Sequence, residues 1–210
     1  RAGPAERACP ARTSVTTGAT GRCRRTRRSS DSPVLARLEF LVADDDAVEI
    51  SGVPMTGLGA RQRAALRRRE VGYVFQDAAL FPHLSVRDNM ALGLRLRDFP
   101  RNIIDSRVND AAKLLGISGV LGQKIKALSE RDKQKVALGR AIVCQPKVLL
   151  VDEDFARQDP ERRKEMLCDI LEINEELKIT VLYVTNDPLE ARTLGKKIVF
   201  MKDGKITDIG

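Results

Sequence analysis

Val148-Leu149-Leu150-Val151-Asp152-Glu153 is the stretch on which the fold turns. Its run of four apolar residues reads as a strand buried on both faces, the pattern of a parallel sheet covered by helices on either side. Asp152 and Glu153 then fall at the carboxyl end of that strand, where open α/β sheets place their ligands. Two adjacent carboxylates there suit a magnesium nucleotide, since one can hold Mg2+ through water while the next orients an attacking water. The plainer reading is a strand that leaves the core into solvent, and the pair alone does not choose between the two.

The flanking sequence alternates helix and strand signals. On the amino-terminal side, Ser129 can cap the amide of Asp132 and open a helix that runs through Val136, Ala137 and Val143 until Pro146 stops it. Before that, Ile103, Ile104, Val108, Ala111, Ala112, Leu114 and Leu115 recur at helical spacing, and Gly116 can take the left-handed conformation that ends a helix. Val48-Glu49-Ile50 and Val71 to Phe75 read as strands. On the carboxyl side, Ile179 to Thr185 reads as a further buried strand, followed by Asp187 as a cap and Pro188 at the first helical position. Ile198 to Met201 and Lys205 to Ile209 flank Asp203-Gly204, a hairpin signal. From Leu38 onward the pattern is that of an α/β domain without internal repeats.

Composition narrows the function classes. The 210 residues are 42% hydrophobic and 31% charged, a globular balance with length enough for a substantial core. No apolar run approaches the ~18 residues that a membrane-spanning helix needs. The net charge of +8 is concentrated: residues 1–37 hold nine arginines against Glu6 and Asp31, a net +7, and the remaining body is close to neutral at +1. That basic segment has no aromatic residue and no sustained periodicity, so it reads as poorly ordered, and a nucleic-acid partner is not expected. Four scattered cysteines and a single histidine, His83, support neither a zinc site nor a disulfide framework, which fits a reducing compartment. The chain opens on Arg1 and lacks the apolar core of a secretory signal, as a fragment or processed product would; an organellar transit segment is the other reading of so Arg- and Ser/Thr-rich a start.

Taken together, the stretch from Val48 to Gly210 resembles the nucleotide-binding subunit of ATP-binding-cassette transporters, most closely the carbohydrate-importer branch. Val71-Gly72-Tyr73-Val74-Phe75-Gln76-Asp77-Ala78-Ala79-Leu80-Phe81-Pro82-His83 looks like that family's Q-loop, and the resemblance makes Gln76 a sensor of Mg2+ and the γ-phosphate. Val136 to Ile142 resembles the helix after the family signature, Val148 to Glu153 its Walker B strand, and Asp159 falls at the D-loop aspartate. The resemblance implies a P-loop NTPase-like (RecA-like) α/β core over residues 38–210, with 77–144 as an inserted helical subdomain and residues 1–37 as a relic of the phosphate-loop region. It implies ATP and Mg2+ as cofactors, Asp152 and Gln76 as metal ligands, and Glu153 as the residue that orients water. A second nucleotide-binding subunit and a transmembrane permease are the implied partners, with the chain peripheral on the cytoplasmic face of the membrane. Asp77 to Leu96, rich in Ala79, Leu80, Phe81, Leu84, Val86 and Met90, is where such a permease helix would dock.

Departures from the family pattern are equally specific. The signature Leu-Ser-Gly-Gly-Gln stands here as Leu128-Ser129-Glu130-Arg131-Asp132, with side chains where glycines allow close approach to a partner-held phosphate. Like charges 4 Å apart repel by roughly 4 kcal/mol at an effective dielectric of 20, and Arg131 offsets part of what Glu130 and Asp132 bring. Asn186 occupies the switch-histidine position, able to donate a hydrogen bond but uncharged. Asp154 replaces the usual proline. Gly18-Ala19-Thr20-Gly21-Arg22-Cys23-Arg24-Arg25-Thr26 aligns with the phosphate loop at Gly18, Gly21 and Thr26, with Arg24 at the lysine and a Cβ at Cys23 obstructing the backbone cradle; a basic tail with incidental glycines is the alternative reading. Two functions follow: an ATPase subunit of an importer, or a non-hydrolytic relic that keeps the fold and the permease contact. Either way weak nucleotide affinity is expected.

Overall fold

The computed structural model describes residues 49–75, 79–152, 160–202 and 205–210. Its centre is a parallel three-stranded sheet in the order β3 (Val71–Val74), β4 (Val148–Asp152), β5 (Thr180–Val184). The register sets Tyr73 beside Leu150 and Leu150 beside Leu182, and it ends with Asp152 opposite Val184. The middle strand is the one with the unbroken apolar run, and Leu149 and Val151 are buried, as a strand covered on both faces requires. Two antiparallel pairs stand apart from this sheet: the short β1 (Glu49–Ile50) with β2 (Val53–Pro54), and the hairpin of β6 (Val199–Lys202) with β7 (Lys205–Ile209).

Six helices among the described residues complete the fold. α1 (Ala60–Glu70) buries Leu66 in a small cluster with Ile50 and Met55. α2 (Val86–Arg95) places Val86, Met90 and Leu94 four residues apart, so that they line one inward face. α3 (Arg101–Leu114) ends as its sequence predicts, with Gly116 at φ +66°. α4 (Glu130–Ile142) buries Val136, Ala137, Leu138, Ala141 and Ile142. α5 (Pro160–Leu177) contributes Met166, Ile170 and Ile173, and α6 (Pro188–Leu194) contributes Leu194. One hydrophobic cluster joins α2, α3, α4 and α5 to the sheet.

Two glycines are required by close approach. A Cβ on Gly139 in α4 would lie 2.7 Å from Met90 Cε and 3.2 Å from Leu115 Cδ1, so α2 and α4 lie close together at that point. A Cβ on Gly72 would meet Pro146 Cγ at 3.0 Å, the Ala141 carbonyl at 3.1 Å and Leu149 Cδ1 at 3.2 Å, which fixes β3 against the turn between α4 and β4.

Several sequence expectations need adjusting. α4 stops at Ile142, four residues short of Pro146, because Gln145 adopts φ +52° and its amide returns to the Ile142 carbonyl at 2.8 Å. β5 is one residue shorter at each end than Ile179 to Thr185, and Phe75 lies just beyond β3. Helices α1, α2 and α5 have no counterpart in the sequence reading. The basic segment 1–37, Val48 and the hairpin turn Asp203-Gly204 lie outside the described residues.

Candidate functional site

The carboxyl ends of β3, β4 and β5 lie side by side, and Asp152 closes the middle one. Its carboxylate is half-buried, and Oδ2 accepts a hydrogen bond from the Tyr73 hydroxyl at 3.0 Å. Tyr73 is itself held by Phe75, whose ring centroid lies 4.2 Å away at an interplanar angle of 53°. The sequence places Tyr73 in a strand and carries no sign of this partner, because the register that sets it beside β4 belongs to the fold. Oxygen donors of this kind suit a hard cation such as Mg2+, so Asp152 fits the implied metal in kind. No cluster of three or more His, Cys, Asp or Glu side chains occurs among the described residues.

The loop after β5 is built around a buried carboxylate. Glu190, 3% exposed in α6, accepts hydrogen bonds at Oε2 from the Tyr183 hydroxyl at 2.9 Å and the Thr185 hydroxyl at 2.5 Å. Its other oxygen faces Arg163 Nε of α5 at 3.4 Å, and Arg163 Nη1 also binds Asp187 Oδ2 at 2.9 Å. Thr185 Oγ1 accepts from the Asp187 amide at 3.0 Å, and Asp187 Oδ1 caps α6 by accepting from the Leu189 amide at 2.8 Å, the cap that the Asp-Pro pair predicts. Asn186, exposed at the turn, thus has a fixed residue on either side. Glu190 and Arg163 were not legible as site residues, because their partners come from three elements.

Ser129 stands at the head of α4, on a different element from the strand ends. Its hydroxyl accepts from the Asp132 amide at 3.1 Å, the predicted cap, and donates to Asp132 Oδ2 at 2.7 Å. The charges around it pair differently from the sequence expectation. Arg131 does not compensate its neighbours but reaches Glu165 of α5 at 3.1 Å, while Lys133 takes Glu130 at 2.6 Å. Lys135 meets Asp169 of α5 at 3.3 Å between two largely buried side chains, and burial pushes the Asp169 carboxyl above the usual carboxylate range.

Residues 79–85 are pinned from three sides. The buried Asn89 accepts from the Phe81 amide at 2.8 Å and donates to the Phe81 and Ser85 carbonyls at 3.0 and 2.9 Å. Arg140 Nη1 donates to the Ala79 carbonyl at 2.6 Å, and Lys124 Nζ to the His83 carbonyl at 2.9 Å. Of the apolar residues assigned to a docking groove, Val86 and Met90 are wholly buried, Leu80 and Leu84 half-buried, and Phe81 is 43% exposed. Val86 and Met90 therefore belong to the core, because α2 turns both inward.

Of the residues singled out from the sequence, the structure brings Asp152 and Asn186 to one edge and places Ser129 elsewhere. Gln76, Glu153 and Asp159 lie outside the described residues, as do Gly18, Gly21, Arg24 and Thr26.

A family model described as ABC transporter matches residues 35–156. The oligosaccharides import ATP-binding protein MsmX of Bacillus subtilis (strain 168) is 47% identical over 146 residues, 70% of this chain and 40% of that protein. The putative uncharacterized ABC transporter ATP-binding protein YcjV of Escherichia coli (strain K12) is 42% identical over 163 residues, 77% of this chain and 45% of that protein. The chain thus spans less than half the length of these curated relatives. Among solved structures, cbiO1 from Clostridium perfringens, part of the ABC transporter complex cbiONQ, superposes with a TM-score of 0.69 at 28% identity, over 79% of this chain and 66% of that one. The dimeric ABC transporter cassette MJ0796 shares the fold, with a TM-score of 0.69 at 24% identity over 87% of this chain and 82% of that one.

Proposed function

This chain belongs to the ABC transporter family, and we propose that it is the ATP-binding subunit of an importer that couples ATP binding and hydrolysis to uptake of a solute, with a sugar as the solute class. The observation that carries this reading is Asp152 at the carboxyl end of the middle strand, oriented by Tyr73, between the strand that leads to Gln76 and the strand that leads to Asn186. Asp152 and Gln76 would hold Mg2+, which supplies charge neutralisation to phosphate oxygens when bound. Glu153 would orient water, Asn186 would donate a hydrogen bond toward phosphate, and Gly18, Gly21, Arg24 and Thr26 would be what remains of the phosphate loop. Ser129 and Asp159 would serve the site of a second subunit. In this reading residues 77–144 form the helical subdomain and the exposed Phe81 marks the permease side. No helix among the described residues is long and apolar enough to cross a membrane, which accords with a subunit peripheral on the cytoplasmic face.

The head of α4 supports a second reading. Backbone amides at a helix N-terminus favour anions, but Glu130 and Asp132 put two carboxylates into this first turn, and the Ser129 hydroxyl is engaged with Asp132. An unfavourable phosphate seat there fits a scaffold that retains the permease contact without hydrolysis. Titration with Mg-ATP combined with a phosphate-release assay separates the two. Saturable binding and a rate that Glu153→Gln abolishes support the ATPase. Absence of binding at millimolar nucleotide supports the scaffold.

A further inference from the structure

The structure assigns Glu190 as a positioning residue that, through Arg163, fixes Asn186 at the carboxyl edge of the sheet and ties that loop to the start of α5. The inference rests on the nucleotide-binding reading only for what Asn186 faces; the clamp itself is geometric. A glutamate that is 3% exposed has to be compensated. Here two hydroxyls donate to it, from Tyr183 in β5 and Thr185 in the following loop, while the Arg163 guanidinium of α5 faces its other oxygen as an ion pair at 3.4 Å, outside hydrogen-bond geometry. Thr185 and Asp187 flank Asn186, and the side chain of each is bound twice. Thr185 donates to Glu190 and accepts from the Asp187 amide, and Asp187 accepts from Arg163 and from the Leu189 amide. Asn186 can therefore change its place only if this set of bonds opens.

Arg163 extends the clamp to a second strand end. It stands at the fourth position of α5, the helix reached from β4 through residues 153–159. One guanidinium thus bonds a residue of the loop after β5 from the helix that follows β4, and it is planar and permanently charged, suited to holding two carboxylates in fixed relation. A displacement at either strand end has to be accommodated at the other or break this pair. Glu190 touches no ligand in this scheme; it acts through Thr185 and Arg163.

The test uses the full chain with Glu190→Ala, Glu190→Gln and Tyr183→Phe, and Asn186→Ala as the reference. Two readouts are taken: amide exchange over residues 184–190, and the ratio of Mg-ADP to Mg-ATP dissociation constants. In Glu190→Ala we expect exchange at Asp187 to accelerate at least tenfold while β4 is unchanged, and the ratio to fall threefold or more, as in Asn186→Ala. Glu190→Gln keeps an acceptor for both hydroxyls and restores at least half of each effect, which a bulk loss of stability would not show. Tyr183→Phe removes one hydroxyl donor of Glu190, leaves both the Arg163 pair and the bond from the Asp187 amide to Thr185 in place, and gives the same acceleration in milder form, should Glu190→Ala fail to fold. Unchanged exchange in Glu190→Ala overturns the assignment, as does a ratio that falls in Asn186→Ala but not in Glu190→Ala. If no variant and not the parent binds either nucleotide, the nucleotide reading fails, and accelerated exchange alone still upholds the clamp.

Discussion

At the head of α4, Glu130 stands in water beside Lys133, and Arg131 reaches across to Glu165 with both side chains more than 40% exposed. Beside the head of α6, Glu190 is 3% exposed, bound by the Tyr183 and Thr185 hydroxyls and faced by the Arg163 guanidinium. The residue types are alike, and burial separates them. An exposed pair gains little because water screens it, whereas a buried carboxylate becomes costly when one partner is lost. The charged pairs at the α4 head can therefore drift in sequence with little effect on folding, while the α6 region cannot.

Breaking the inner pair should have the largest effect. Arg163→Ala leaves Glu190 and Asp187 without their shared cation and is expected to destabilise by about 3 kcal/mol in chemical denaturation; a loss comparable to that of a surface pair would erase the contrast. Next comes Ser129→Ala, which removes the α4 cap and should cost about 1 kcal/mol. Arg131→Ala removes an exposed pair and should shift stability by less than about 0.5 kcal/mol, with the remaining effect vanishing in high salt. A loss near that of Arg163→Ala would show that the α4 head is bound to α5 more firmly than its exposure suggests.

A pH series sharpens the comparison on a third helix. At the head of α2, the Ser85 hydroxyl donates to Asp88 at 2.5 Å and Arg95 pairs with it at 2.7 Å, which holds its carboxyl below the usual carboxylate range. Because the folded pKa is depressed, Asp88 contributes stability above the usual aspartate range, and the contribution is lost as pH falls through the folded value. Asp88→Asn should therefore lower the unfolding midpoint slightly at neutral pH and not at all at a pH below both values. A difference that persists in acid would mean that packing, not charge, is what the substitution disturbs.

How much of this was legible depends on where the information sits along the chain. Val148 to Asp152 announced a doubly covered parallel strand because each residue reports its own burial, and the caps at Ser129 and Asp187 were readable because donor and acceptor lie within three residues. α5 carries a readable stripe in Met166, Ile170 and Ile173, and α2 carries one in Val86, Met90 and Leu94, but apolar density from Ala79 to Met90 fits an exposed groove as readily as a buried helix face. α1 had little stripe to read: Leu66 is its only buried apolar residue, and the Gly59 amide is satisfied by Gln62 Oε1 at 2.9 Å. The candidate site divided in the same way. Asp152 follows from its strand, whereas Tyr73 bonds to it across 79 positions and Arg163 reaches Asp187 across 24, separations at which one sequence gives no signal.

Gly72 gives α4 a mechanical character. With the Ala141 carbonyl and Pro146 packed where a side chain would otherwise stand, the carboxyl end of α4 has no freedom to slide over β3. Thirteen residues at 1.5 Å rise make α4 a rod of about 20 Å. Ser129 stands at the far end of that rod, where pairs from Arg131 to Glu165 and from Lys135 to Asp169 hold α4 to α5, and a tilt of about 3° would carry it roughly 1 Å. A push on Ser129 would meet those two pairs first and reach the Gly72 contact only after straining them.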